Sequence, residues 1–267
     1  MPLSICATPI GNLDDVTLRV VRELGEADLI LCEDTRRTRI LLERHGIKAR
    51  LTSYHEHNEA ERTAEVLPRL EAGERVALTS DAGLPGVSDP GARLISAALE
   101  AGVPVTVLPG ASAVETALVA SGLVTDRYQF VGYLPRGEGA RAALWAELAR
   151  WPHAAVAFES PRRLPASLVS LAEAMPERPV AVCRELTKRF EEVIRGTAAE
   201  VAAQFAEPPK GEITLVLGAF EVEAGGEEDA LAAVVELVEA GAGRRQAADV
   251  VARLTGQSRN RLYQASL

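Results

Sequence analysis

The sequence predicts an α/β fold with two α/β domains and a small helical tail at the C-terminus. Three observations lead to this prediction: short apolar runs alternate with helical patterns, turns rich in glycine and proline separate them, and the charge pattern changes after residue 220. We expect a Rossmann-like domain at residues 1–121, a second α/β domain at 122–222, and an acidic linker with a helix-turn-helix-like tail at 223–267.

The first domain is predicted from short apolar runs that each end in a polar turn. Strands are expected at residues 3–7, 28–33, 75–80 and 103–108, with a possible fifth near 50–53. Helical patterns fall between them at residues 15–25, 36–45, 58–72, 90–101 and 112–121. This alternation is typical of a doubly wound sheet.

The second domain continues the alternation after residue 122. Strands are expected at residues 128–133, 154–159, 179–185 and 212–219, with helices at 139–150, 161–175 and 197–206. We expect a more mixed sheet in this domain.

Three strand ends of the first domain run into loops that suit a ligand. Residues 81–91 contain Gly83 and Gly86, which permit close approach and positive φ, and Asp89 is expected to N-cap the next helix. Residues 8–13 and 109–113 follow two other strands, and open α/β sheets bind ligands at such an edge. These last two loops match neither G-x-G-x-x-G nor a P-loop. A strand-to-helix loop without a ligand remains the alternative, since glycine, proline and aspartate are ordinary loop residues.

Seven motifs occur in an order that resembles a known family. They are residues 7–13 (ATPIGNL), 32–36 (CEDTR), 80–83 with 89–91 (SDAG, DPG), 109–112 (PGAS), 158–160 (FES), 184–188 (RELTK) and 210–212 (KGE). They are distributed over roughly residues 1–220 and resemble the tetrapyrrole-methylase-type (class III) family of S-adenosylmethionine-dependent methyltransferases. Thr8 and Pro9 stand where many members have a more glycine-rich turn, which favours the branch that acts on RNA.

The resemblance implies a cofactor cleft between the two α/β domains and methylation of a ribose 2′-oxygen. The implied substrate is a cytidine in the decoding region of 16S (small-subunit) ribosomal RNA, as naked RNA or in the assembled subunit, and the implied assembly is a homodimer. Two other functions stay open. One is a tetrapyrrole (precorrin-type) C-methyltransferase, which needs no basic tail, and the other is a non-catalytic RNA-binding protein of ribosome assembly.

The three loops supply the expected contacts to S-adenosylmethionine. Asp81 is expected to accept hydrogen bonds from the donor's ammonium group or ribose, and Ile10 and Leu84 to flank its adenine or methionine part. The full first-domain set is Thr8, Pro9, Ile10, Asp81, Gly83, Leu84, Ser112 and Ala113. In the second domain the resemblance suggests Glu159, Leu186 and Thr214.

Glu185 and Lys188 are the candidate catalytic residues. Glu185 ends an apolar strand, where a carboxylate can orient the ribose hydroxyl or remove its proton. Lys188 can stabilise the developing alkoxide, or act as the base if neighbouring cations lower its pKa. The alternative is a surface ion-pair cluster of these two residues with Arg184 and Arg189.

The net charge of −9 argues against an RNA partner, yet the basic residues are clustered. Arg36, Arg37, Arg162 and Arg163 lie just beyond strand ends and are expected to contact RNA phosphates. The same is expected of Arg244, Arg245, Arg259 and Arg261, hereafter the four tail arginines. Solvated helix faces remain the alternative. For the tail it is a two-helix cap in which Val250, Val251, Leu254, Leu262 and Tyr263 pack inward.

The remaining signals indicate an ordinary cytoplasmic enzyme without a metal. The sequence has no 18-residue apolar run and no signal peptide. Cys6, Cys32 and Cys183 lack metal spacing and are expected to be buried, reduced thiols. His55 and His57 have no third ligand placed by spacing, so an RNA-facing loop or helix cap is favoured there over a metal site.

Overall fold

The computed structural model describes residues 2–220 and 227–267, without the side chains of residues 227 and 228. The chain forms two compact units, Met1–Phe220 and Glu221–Leu267. The start of the expected acidic linker, up to residue 226, lies outside the described residues. The domain boundary expected after residue 121 stays a prediction, since both sheets belong to the first unit.

The first sheet has five parallel strands in the order β3-β2-β4-β1-β5. The strands are β1 (Leu3–Cys6), β2 (Leu29–Cys32), β3 (Leu51–Ser53), β4 (Val76–Thr79) and β5 (Val105–Leu108). The helices are α1 (Leu18–Glu26), α2 (Thr35–Arg44), α3 (Glu59–Glu71), α4 (Ala92–Glu100) and α5 (Ala113–Ser121), with a 3₁₀ turn at Leu13–Asp15. The predicted α/β class and all five strands are confirmed.

The order of these strands determines which loops meet. Strand β1 pairs with β4 on one side and β5 on the other, so the loops after these three strands are neighbours. Strands β1, β2 and β4 are buried along their whole length, because helices cover both faces of the parallel sheet.

The prediction that Asp89 caps α4 is wrong. The N-cap is Gly91, with φ +141° and no capping side chain, and the helix begins at Ala92. A Cβ at Gly91 would lie 3.0 Å from Leu78 Cδ2, so the chain needs glycine to turn into the helix.

The second sheet is mixed, as predicted, with strand order β6-β7-β10-β8-β9. Only β6 and β7 are parallel. The strands are β6 (Tyr128–Tyr133), β7 (Ala154–Glu159), β8 (Pro179–Arg184), β9 (Glu192–Thr197) and β10 (Ile213–Leu217), and the helices are α6 (Glu138–Leu148), α7 (Leu164–Ala174) and α8 (Ala198–Gln204). The sequence did not indicate β9, an edge strand with only two apolar side chains, Val193 and Ile194.

The second unit consists of α9 (Glu227–Glu239), α10 (Arg244–Thr255) and α11 (Arg259–Ala265) around a core of its own. Val234, Val251 and Leu262 are buried in that core. Gly256 ends α10 in the left-handed conformation. Ser258 stands at the N-cap of α11 but makes no capping hydrogen bond. Leu254 is 76% exposed, so it does not pack inward as the two-helix-cap alternative requires.

Two further observations concern the part of the chain that the structure describes. No helix there has the length and apolar character needed to cross a membrane. The three cysteines are buried and unbridged, as predicted. Burial raises the pKa of the Cys6 and Cys183 thiols to about 12, so these side chains stay neutral.

Candidate functional site

The loops after β1 and β4 are joined by hydrogen bonds. The Thr8 amide donates to the Gly83 carbonyl at 2.8 Å, and the Gly83 amide donates back to Thr8 at 3.0 Å. The Thr8 hydroxyl also donates to the Ser80 carbonyl at 3.0 Å. Gly83 has φ +79°, a conformation that favours glycine. The motifs at residues 7–13 and 80–83 thus form one rigid edge.

A large cavity lies beside this edge, between the two sheets of the first unit. Its volume is about 740 Å³, within the usual range for small-molecule sites. Both sheets contribute to its wall. Eight of the predicted donor residues line it: Ile10, Gly83, Leu84, Ser112, Ala113, Glu159, Leu186 and Thr214.

The larger cavity combines aromatic rings with carboxylates. Phe158 lies edge-on to Phe130 and to Tyr133, with ring centroids 4.9 and 5.5 Å apart. The described lining includes four carboxylates and no lysine or arginine: Asp89, Glu115, Glu159 and Glu212. Aromatic faces and carboxylates both attract cations, so this wall suits a positively charged ligand with a flat ring.

Two of these carboxylates differ in their protonation. Burial, followed by the nearby charges of Glu33 and Asp81, raises the pKa of Asp89 to about 6. A hydrogen bond from Ser112 lowers the pKa of Glu115, which also accepts the Tyr128 hydroxyl at 2.7 Å. Asp89 therefore titrates near neutrality, whereas Glu115 stays ionised.

Glu159 is fully occupied by protein donors. Its buried carboxylate accepts the Ser160 amide and the Ser167 hydroxyl, both at 2.6 Å, and pairs with Arg163 at 2.5 Å. Arg163 also donates to the Leu134 carbonyl at 3.0 Å. Arg163, one of the predicted RNA contacts, thus holds the wall of the larger cavity, while Arg162 beside it is exposed.

A smaller cavity of about 250 Å³ adjoins the larger one. Ile10, Ala82 and Glu212 line both cavities. The smaller cavity also contains three predicted donor residues and two cations: Thr8, Pro9, Asp81, Arg37 and Lys188.

Asp81 lines the smaller cavity, where its carboxylate already has protein partners. Its carboxylate accepts the Asp34 amide at 3.0 Å and lies 3.5 Å from Arg37 Nη1. Leu84, three residues further along the same loop, lines the larger cavity. The two predicted donor contacts of this loop therefore face different spaces.

Glu185 and Lys188 form a short ionic chain with Glu212. Lys188 Nζ donates to Glu185 Oε1 at 2.9 Å and to Glu212 Oε2 at 2.7 Å. Burial opposes the charge of Lys188, but the hydrogen bonds to Glu212 and Glu185 outweigh it and raise its pKa. The hydrogen bond from Lys188 lowers the pKa of Glu185. Lys188 is therefore a cation, which favours the alkoxide-stabilising role over the base role.

The loop that carries Lys188 has unusual backbone geometry. Glu185 and Thr187 have φ +53° and +67°, which costs about 1–3 kcal/mol for each residue. The Asn12 amide donates to the Thr187 hydroxyl at 3.0 Å, and a Cβ at Gly11 would lie 2.6 Å from Lys188 Cγ. The chain thus holds Lys188 tightly against the loop after β1.

Arg184 and Arg189 make other contacts. Arg184 pairs with Glu192 at 3.0 Å, and the guanidinium of Arg189 lies 5.5 Å from the centre of the Phe190 ring. Lys188 and Glu185 are therefore joined by Glu212, and not by Arg184 and Arg189 as in the surface ion-pair cluster considered above.

The other predicted RNA contacts lie outside the two cavities. Arg36 is exposed and pairs with Asp34 at 2.6 Å, which lowers the pKa of that carboxyl. In the second unit, Arg245 lies over the Tyr263 ring at 6.0 Å and Arg259 lies 3.7 Å from Asp249. Arg244 begins α10, and Arg261 lies on α11.

The sequence did not indicate that Glu212, Asp89 or the three aromatic residues of the larger cavity belong to a ligand site. Glu212 had a signal, since it belongs to the motif at residues 210–212. The aromatic side chains fall in the predicted strands β6 and β7. Nothing in that pattern says which face of the sheet meets a ligand.

Three comparisons relate the chain to known proteins. The model of the tetrapyrrole (corrin/porphyrin) methylases matches residues 2–202. Ribosomal RNA small subunit methyltransferase I of Mesorhizobium japonicum is 44% identical over 268 residues, covering 99% of this chain and 91% of that protein. The protein of the same name from Thermotoga maritima is 43% identical over 220 residues, covering 82% of this chain and 99% of that protein.

A solved structure supports the fold. Uroporphyrin-III C-methyl transferase from Thermus thermophilus, complexed with S-adenyl homocysteine, superposes with a TM-score of 0.57 at 20% identity. The match covers 82% of this chain and 97% of that one. At this identity the likeness concerns the fold alone.

Proposed function

We propose a function for this chain from the premise that it belongs to the tetrapyrrole (corrin/porphyrin) methylase family, among the ribosomal RNA small subunit methyltransferase I proteins. It is an S-adenosylmethionine-dependent methyltransferase. It transfers a methyl group to the ribose 2′-oxygen of a cytidine in the decoding region of 16S ribosomal RNA.

The observation that carries this proposal is the pair of adjoining cavities with different linings. The larger one has carboxylates and aromatic rings and no described lysine or arginine, and the smaller one contains Arg37 and Lys188 beside Asp81 and Glu212. A cationic donor fits the first, and a nucleotide with its phosphates fits the second. They share Ile10, Ala82 and Glu212, so the reacting atoms meet at these residues.

The larger cavity fits S-adenosylmethionine by charge and by space. The donor carries a sulfonium, an ammonium group and an adenine ring, and Asp89 and Glu115 are the lining carboxylates that suit its cations. Gly110 lets the loop after β5 pack closely against the end of β1, since a Cβ at Gly110 would lie 2.8 Å from Ala7 Cβ. Ile10 and Leu84 offer apolar surface to the adenine or methionine part.

The chain's own residues then have two tasks in the reaction. When bound, the donor supplies a methyl group on sulfur that is already a good leaving group. Ile10 and Ala82 exclude water where the two cavities join, and holding the ribose hydroxyl in line with this group there can lower the barrier by about 7–11 kcal/mol. Lys188 stabilises negative charge on the hydroxyl oxygen, and Glu185 fixes the direction of its ammonium group.

Several arginines are expected to bind the remaining RNA. Arg37 lines the smaller cavity, and Arg36 and Arg162 are exposed. The four tail arginines are expected to bind RNA from the second unit. The Thermotoga maritima relative matches over 220 residues, close to the length of Met1–Phe220, which supports chemistry in the first unit.

We also propose that the protein acts in the cytoplasm as a homodimer. Support for a second copy comes from apolar side chains that the first unit exposes, namely Val107 on edge strand β5 and Val119 on α5, at 50% and 70%. Sedimentation of the purified protein tests this directly. A monomer at micromolar concentration would contradict it.

The experiment that tests the function compares substrates. The purified protein and labelled S-adenosylmethionine are incubated with small-subunit RNA, with assembled small subunits and with a precorrin-type tetrapyrrole. We expect label in RNA or subunits only. Label in the tetrapyrrole would establish the C-methyltransferase alternative, and RNA binding without any label would establish the assembly protein.

A further inference from the structure

We propose that Glu212 is the group that accepts the proton of the ribose hydroxyl. This inference rests on the proposed 2′-O-methylation and names a residue of that site for which neither the sequence nor the comparisons indicated a role. It assigns different roles to the three members of the ionic chain: Glu185 positions, Lys188 supplies positive charge, and Glu212 takes the proton.

The position of Glu212 suits this role. It lies between Gly211, with φ +102°, and the first residue of β10, and it lines both cavities. A hydroxyl that reacts where the two cavities join therefore lies beside this carboxylate. The Glu212 side chain is 61% exposed, against 19% for Glu185, so a substrate can reach it.

The hydrogen bonds also leave Glu212 more available to a substrate than Glu185. Glu185 Oε1 accepts both Lys188 Nζ at 2.9 Å and the Glu212 amide at 3.0 Å. A Cβ at Gly211 would lie 2.5 Å from Glu185 Cγ, so glycine is needed for this close packing. Glu212 uses only Oε2, for Lys188 at 2.7 Å, and its Oε1 has no partner within the described residues.

The other titratable groups at the junction suit the role less well. Lys188 stays protonated because two carboxylates bind it. Asp81 already accepts the Asp34 amide and pairs with Arg37. Glu185 lines neither cavity. Glu212 combines an unengaged oxygen with a place at the junction.

The step balances with these groups alone. The O–H bond of the ribose breaks and its proton passes to Glu212, while the oxygen forms a bond to the methyl carbon. The bond between methyl and sulfur breaks, and its electron pair leaves with sulfur, which becomes a neutral thioether. Lys188 keeps its proton throughout, and Glu212 returns the acquired proton to water.

Several charged and titratable groups face Glu212. Lys188 and Glu185 approach from the loop after β8, and Tyr133 interacts with it from β6. Arg37 and Asp81 share the smaller cavity with it. The experiment below therefore compares pH profiles between variants and does not depend on an absolute value.

The test is the pH dependence of single-turnover methylation by Glu212→Gln, with small-subunit RNA as substrate. The amide keeps the shape of the side chain but cannot take a proton, so we expect a rate loss of about 100-fold to 10,000-fold. The wild-type rate should fall at acid pH as a carboxylate protonates, and this acid limb should vanish in the variant. Affinities for S-adenosylmethionine and for RNA, measured by calorimetry, should stay within about twofold.

A matched control is Glu192→Gln. Glu192 is also a half-exposed glutamate of this sheet, but it pairs with Arg184 and lines neither cavity. It should keep the wild-type rate and acid limb. Glu212→Asp keeps a carboxylate and should restore the acid limb with part of the rate, which separates loss of the base from misfolding.

Three outcomes would overturn the inference. The first is a Glu212→Gln rate within about threefold of wild type. The second is a slow Glu212→Gln variant that keeps the acid limb, which would make Glu212 a positioning residue for Lys188. The third is a wild-type protein that transfers no label to RNA, which would refute the proposed function as well. The first two leave that function intact.

Discussion

Substitution of Gly11 should perturb the site strongly, because the loop after β1 and the loop at residues 186–188 leave no space for a side chain at this position. A Cβ at this position would lie 2.6 Å from Lys188 Cγ, 2.7 Å from Thr187 Oγ1 and 2.9 Å from the Leu186 carbonyl oxygen. Favourable non-bonded separations are about 3.5–4.0 Å, so Gly11→Ala should displace the loop at residues 186–188 by about 1 Å.

The size of the expected effect follows from that displacement. A shift of about 1 Å in a catalytic group can cost about 100-fold in rate, or about 2.7 kcal/mol of barrier. Gly11 lines the smaller cavity and Lys188 acts there, so the methyl-transfer step should suffer. Affinity for S-adenosylmethionine should change little, because Gly11 is absent from the described lining of the larger cavity.

The assay combines single-turnover methylation with calorimetric titration of the donor. Gly139→Ala is the control, because a Cβ there meets nothing within 4 Å and alanine is favoured in the helix. Melting temperatures of both variants identify any loss of folding. A folded Gly11→Ala variant with a rate within about threefold of wild type would refute the reasoning.

Three other variants test separate parts of the site. Folding favours protonated Asp89, because its pKa rises from 3.8 in the unfolded chain to about 6 in the folded protein. The protonated carboxyl therefore stabilises the fold below the unfolded pKa, and this stabilisation is lost as pH rises through 6. Asp89→Asn should raise the melting temperature above that of wild type by more at about pH 8 than at about pH 5, and an equal difference at both pH values would refute this. Lys188→Ala should lower the single-turnover rate by about 100-fold or more with little change in donor affinity, and equal losses in both would return Lys188 to a structural role. Replacing the four tail arginines by alanine should weaken RNA binding and flatten the dependence of log affinity on log salt by about one unit for each lost phosphate contact; an unaltered slope in a stable variant would exclude them from the RNA surface.

The sequence was sufficient for the sheet of the first domain because that sheet is buried on both faces. β1, β2 and β4 read as apolar runs for that reason, and their order places the ligand loops side by side. Strand β9 was not predicted from the sequence, because an edge strand needs few apolar side chains. Propensity thus identified the buried strands and missed the exposed one.

The details of the site depend on contacts that no local pattern encodes. Asp81 and Leu84 share one loop, yet they face different cavities, because the loop turns at Gly83. Glu212 meets Lys188 across 24 positions of sequence, because β8 and β10 pair antiparallel with Arg184 opposite Ile213. Such a register becomes visible only when the sheet is assembled.

The most direct measurement of the proposed activity is mass-spectrometric mapping of 16S ribosomal RNA. RNA or small subunits from cells that lack this protein are incubated with the purified chain and isotopically labelled S-adenosylmethionine, then digested and sequenced by mass. The proposed 2′-O-methylation predicts label on one cytidine of the decoding region. This label should stay on the ribose after the base is removed. Label on a base, at scattered positions, or nowhere in the RNA would contradict it.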